Sequence, residues 1–101
     1  YALAGICALV TLDDNGRCTK ARLSACGIAS TAVRLESAEA ELAGSTLDEN
    51  TIARAAKAAR DCVTAADDSQ ASTAYRRHLV DTLTQRTVAV ARDRALERRA
   101  A

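Results

Sequence analysis

Hydrophobic and polar positions divide the chain into two strand-like stretches followed by three helix-like ones. Residues 2–12 are apolar almost throughout, with Ile6, Leu9, Val10 and Thr11 favouring a strand. Asn15-Gly16 then marks a hairpin turn. Residues 18–28 alternate: Thr19, Ala21, Leu23 and Ala25 share one face, and Lys20, Arg22 and Ser24 share the other. That alternation predicts a half-exposed antiparallel strand paired to the first, its polar side turned to solvent or to a neighbouring domain. Residues 31–35 predict a short third strand or extended segment.

Helical patterns follow. Residues 36–42 predict a short helix closed by Gly44. Thr46 to Glu49 reads as a capping box, with Thr46 as N-cap and Glu49 as its reciprocal partner. The helix it opens carries Ile52, Ala55, Ala56 and Ala59 on one face, is extended by Cys62 and Val63, and is broken by Asp67-Asp68-Ser69. A third helix is predicted from near Ser72 towards Ala95, with Asp and Ser before it as caps. Tyr75, Leu79 and Leu83 recur four apart along one predicted stripe, with Arg76, Arg77, Asp81 and Arg86 mostly off it. The charged tail, residues 91–101, is expected to fray at its end. Strands first and helices after predict an α+β domain: a small antiparallel sheet of three to four strands with three helices packed on one face.

Composition narrows the core. Of 101 residues 49% are hydrophobic, but there are two Tyr and no Phe, Trp or Met, so Leu, Val, Ile, Ala and Cys must fill it in thin layers. The length fits one domain, residues 1–101. A start at Tyr1, already inside an apolar run, reads as a fragment, or as one domain cut from a longer protein. A net charge of +1 lacks the footprint of a nucleic-acid or membrane-surface binder, and no apolar run is long enough to span a bilayer.

Candidate chemistry is sparse. Cys7, Cys18, Cys26 and Cys62 match no metal-binding spacing and read as small buried or semi-buried hydrophobes in a reducing compartment. A Cys7–Cys26 bridge requires that the two face each other with Cα atoms within about 7 Å. His78, the single histidine, has only Asp81 near it in sequence and reads as a surface or interface residue rather than a general base. Glu36, Glu39 and Glu41 read as solvated helix acids, and Arg92, Arg94, Arg98 and Arg99 as a tail interrupted by acids. Arg34, Arg76 and Arg77 can pair with Glu36, Glu39, Asp67 or Asp68 within the domain. They can equally face a neighbouring domain, where the planar guanidinium is favoured.

Two stretches carry a family resemblance. The segment GRCTKARLSACGIASTAVRLESAEAELAGSTLDE, and the "YRRHL" of DDSQASTAYRRHLVDTLTQRTV at its distance downstream, resemble the C-terminal domain of the FAD-binding medium subunit of the molybdenum hydroxylases, the carbon monoxide and xanthine dehydrogenase family. The chain departs from the pattern at Ala32, where a proline is usual. The resemblance implies a compact α+β domain that packs against preceding FAD-binding domains of the same subunit. It implies FAD held by those domains, molybdopterin and iron-sulfur clusters in partner subunits, and a cytoplasmic complex. It also implies no catalytic, cofactor-binding or metal residue in this chain; Arg34, Asp68, Tyr75, Arg76 and Arg77 are the candidates for structural or interdomain ion pairs. The alternative is a stand-alone interaction or dimerisation module with no flavin.

Overall fold

The computed structural model describes residues 4–29, 31–64 and 72–100. Strands β1 (Gly5–Leu12), β2 (Cys18–Cys26) and β3 (Val33–Arg34) precede helices α1 (Glu36–Leu42), α2 (Glu49–Arg60) and α3 (Thr73–Ala100). The sheet is antiparallel in the order β1-β2-β3, at the lower end of the expected strand number. Helix α1 lies on β2 and α3 on β1, and α2 packs between α1 and α3. The fully buried centre is Leu23, Ile28, Leu35, Leu42, Leu47, Val80 and Val88.

The hairpin forms where Asn15-Gly16 predicts it. The Asp13 carboxylate accepts the N–H groups of Asn15 and Arg17, both at 2.9 Å, and Gly16 takes the φ of 80° that a side chain resists. Thr19 does not join Ala21, Leu23 and Ala25 in the core. The register slips between Thr11 and Leu12, which sit opposite Lys20 and Cys18, so Thr19 is a bulge residue turned to solvent and Cys18 turns inward. Beyond β2, Gly27 adopts a φ of 81° and ends the strand short of Ile28.

The N-cap of α2 is Asp48, not Thr46. Leu47 is held at a φ of 56° with its side chain fully buried, so helical backbone cannot begin before Asp48. The Asp48 carboxylate accepts Thr51 N–H at 3.3 Å. The helix ends at Arg60, with Cys62 and Val63 beyond it. The predicted break at Asp67-Asp68-Ser69 lies outside the described residues.

Helix α3 opens under a Ser72 cap, whose hydroxyl accepts Tyr75 N–H at 3.0 Å. It runs past Ala95 to Ala100, since the tail holds no Gly or Pro. At about 1.5 Å per residue its 28 residues account for most of the molecule's 46 Å long axis. The buried stripe is one residue on from the predicted one: Arg76, Val80, Thr84, Val88 and Ala95 face inward, while Leu79 and Leu83 are half-buried and Tyr75 is 46% exposed. The alanine face of α2 leaves a shallow seam that small and β-branched side chains fill, and the longer leucines flank it.

Candidate functional site

Among the candidate residues, Arg34 has the best-defined partner. It ends β3, and the chain turns directly into α1, which carries Glu39 back beneath it. Arg34 Nε donates to both Glu39 oxygens at 3.0 Å, and Nη2 donates to Oε1 at 2.8 Å. The same carboxylate accepts Leu23 N–H at 2.8 Å, a backbone donor of β2 beyond the reach of two-residue β3. Hydrogen bonds from Arg34 and Leu23 hold the Glu39 carboxyl below its ordinary value against the opposing pull of burial. Glu39 is thus a buried structural acid rather than a solvated one. Glu36 stays exposed, and Glu41 reaches Arg54 at 3.5 Å.

The other candidates separate. Arg76 points into the domain and is 4% exposed; Arg77 and Tyr75 face outward from the same helical turn. Asp67 and Asp68 lie outside the described residues. His78 is exposed, and Asp81 is engaged elsewhere, by Arg60 at 3.4 Å and Gln85 at 2.6 Å. Arg92 donates to Leu47 carbonyl oxygen at 2.9 Å, clamping α3 to the turn before α2 rather than serving an anion.

The cysteines divide too. Cys18 is buried, its thiol pushed up by burial, and Cys62 is half-buried, but Cys7 and Cys26 are exposed, contrary to the expectation of buried hydrophobes. Cys7 stands opposite Ser24 and Cys26 opposite Gly5, so the two are diagonal neighbours. Such pairs lie about 7–8 Å apart, too far to bridge; all four thiols are free. No group of three or more metal-ligating side chains converges among the described residues.

The sheet face opposite the helices carries Cys7, Leu9, Lys20, Arg22, Ser24 and Cys26, all exposed. Leu9, at 73% exposure, is the most exposed large hydrophobic residue among those described. Beside it a groove of about 320 Å³ runs between β1 and α3, lined among others by Leu9, Val90, Arg86, Arg94 and Arg98. Sequence reading placed Lys20, Arg22 and Ser24 on this outward face but missed its β1 half, because residues 2–12 look uniformly apolar; the signal was the outward position of Leu9 in an alternating strand.

Comparison with known proteins gives the family. The family model of the CO dehydrogenase flavoprotein C-terminal domain matches residues 1–91. This chain belongs to that family. It is 40% identical over 95 residues to the 6-hydroxypseudooxynicotine dehydrogenase complex subunit alpha of Paenarthrobacter nicotinovorans, covering 94% of this chain and 32% of that protein. Quinoline 2-oxidoreductase from Pseudomonas putida 86 superposes with a TM-score of 0.88 at 30% identity, over 94% of this chain and 33% of that one. Reconstituted CO dehydrogenase from Oligotropha carboxidovorans gives 0.87 at 27% identity over the same shares. The chain therefore spans about a third of the length of the relatives it matches.

The pyrophosphate of a flavin dinucleotide does not fit the N-termini of α1 and α2. A pyrophosphate needs a helix N-terminus with free N–H groups and close backbone approach. The α2 terminus is filled by the Asp48 carboxylate, α1 begins with Glu36 and buries Glu39, and Gly16, Gly27 and Gly44 mark turns that do not lead directly into a helix.

Proposed function

We propose that residues 1–101 form the accessory C-terminal domain of an FAD-binding subunit in a molybdenum-containing oxidoreductase of the CO dehydrogenase and xanthine dehydrogenase type. The observation that carries this reading is the family match across residues 1–91, reinforced by structural superposition over 94% of the chain. The domain packs against flavin-binding domains of the same polypeptide and catalyses nothing alone. FAD belongs to those domains; molybdopterin and iron-sulfur clusters belong to partner subunits of a cytoplasmic electron-transfer complex. The exposed sheet face, with Leu9 at its centre, supports the packing role. Among the described residues no helix is long and apolar enough to cross a membrane.

The test is a visible absorption spectrum of the purified product of the complete reading frame. Flavin bands are expected. A folded, colourless product that FAD cannot reconstitute would overturn the proposal.

A further inference from the structure

Among the described residues strand β1 is an edge strand, paired to β2 on one side only. The groove beside it is lined by Ala8, Leu9 and Val10, three consecutive residues whose side chains alternate between the two faces of the sheet. It lies between that strand and α3, whose Thr87, Val90 and Ala91 form its other wall. A second hollow of about 240 Å³ continues beside Val10, Thr11 and Leu12. The open edge therefore faces a channel from residue 8 to residue 12. Unpaired edges of this length pair readily with another extended segment.

The channel is also charged on one side. Arg86 and Arg94 line the first hollow, and Arg98 lines both. None of the three makes an ion pair among the described residues, and no carboxylate lines either hollow. Asp93, the nearest acid in sequence to Arg94, is paired with Arg92. A second copy of this chain would bring like charge to like charge, so it is a poor occupant.

We infer that an extended acidic segment from the flavin-binding part of the same polypeptide lies along β1 as a fourth strand. The inference rests on the proposed function for the existence of that part. One set of its alternating side chains is acidic and reaches Arg86, Arg94 and Arg98 past Val90; the other is apolar and covers Leu9. The occupant is tethered because the twelve residues lining the two hollows are far fewer than the roughly 20–30 residues a side that a stable interface between separate proteins uses. A segment of the same chain docks intramolecularly and does not need so large a surface.

The test uses the full-length flavoprotein subunit carrying Arg94→Lys, which keeps the charge and supplies a primary amine. A carbodiimide links that amine only to a carboxylate in contact with it, and peptide mass spectrometry locates the acidic end. The expected result is a link, absent from the unsubstituted subunit, to an acidic segment of the same polypeptide outside residues 1–101. Adding Leu9→Asp should cut its yield about tenfold by opposing the acidic occupant. No link, a link confined to α3, or a link to another polypeptide overturns the inference. Flavin absorbance of the same sample separates the two proposals. A yellow subunit without the link fails this one alone; a colourless subunit with the link that FAD cannot reconstitute fails the flavoprotein assignment alone.

Discussion

Arg34 and Glu39 meet through three N–H···O contacts of 2.8–3.0 Å, although they belong to different kinds of element, one ending β3 and the other lying mid-way along α1. Both residues lie in the segment GRCTKARLSACGIASTAVRLESAEAELAGSTLDE that carries the family resemblance. The arginine is half-exposed and the carboxylate buried, so the arginine gives up little hydration while the acid gains partners. With Leu23 N–H as a further donor, Glu39 ties β2, β3 and α1 together. Glu39→Ala leaves Leu23 N–H without its acceptor and should cost about 2–3 kcal/mol, read from urea unfolding. Glu39→Gln retains a carbonyl acceptor and should cost less. Equal losses for the two would show that the Leu23 bond contributes nothing.

The same pair sets an acid limit. Hydrogen bonding by Arg34, then by Leu23 N–H, lowers the folded-state pKa of Glu39 from its ordinary 4.5. Folding therefore gains from Glu39 fully above that ordinary value and loses the gain as pH falls through the depressed one. The Asp48 carboxyl, lowered by its hydrogen bonds to Thr51, acts in the same direction. Melting temperature should fall on acidification below about pH 4.5. The fall should be shallower in Glu39→Gln and shallowest with Asp48→Asn added. An unchanged slope in the double variant would remove both groups from the account.

Which residue caps α2 can be settled by two substitutions. Asp48 accepts Thr51 N–H, whereas no hydrogen bond of the Thr46 side chain occurs among the described residues. Asp48→Ala should lower the melting temperature and Thr46→Ala should leave it in place. The reverse order would restore the capping box.

Gly44 isolates a backbone effect. Its φ is 80°, and a Cβ built there meets nothing within 4 Å. Gly44→Ala therefore costs only conformational energy, about 1 kcal/mol, seen as a lower urea midpoint with an unchanged slope. A neutral result would mean that the turn after α1 relaxes to negative φ.

Much of this architecture is legible in the residues because its signals are local. Asn15-Gly16 forces a turn, alternation around Leu23 assigns a strand face, and Gly44 stops a helix. What escaped reading depends on volume brought from elsewhere. Tyr75, Leu79, Leu83 and Arg76, Val80, Thr84 are equally good four-residue stripes, about 100° apart on the helix. Hydrophobicity favours the first, but the alanine face of α2 selects the second. Thr19 looks like any inward position until the bulge rotates it out. The buried role of Glu39 was hidden because an acid in a short helix reads as solvated unless a partner across the sheet is known. Of the arginines lining the β1–α3 channel, Arg94 and Arg98 looked like an ordinary charged tail and Arg86 like an off-stripe helix residue, because their shared position depends on where α3 crosses the sheet.

Thr84 shows what that selection costs. It lies at the centre of the buried α3 stripe with no exposure, and its hydroxyl has no hydrogen-bond partner among the described residues. A buried unpaired hydroxyl forfeits its hydration without return, a penalty of about 1–3 kcal/mol. Valine replaces the hydroxyl by a methyl group of similar size and removes the penalty. Thr84→Val should therefore stabilise the domain by about 1 kcal/mol. Thr84→Ser keeps the hydroxyl and loses the methyl, and should destabilise it through the cavity left behind. Urea unfolding of the three proteins separates the contributions. If Thr84→Val proves less stable than the parent, the hydroxyl is paired and polarity, not shape, explains a threonine at this point in the core.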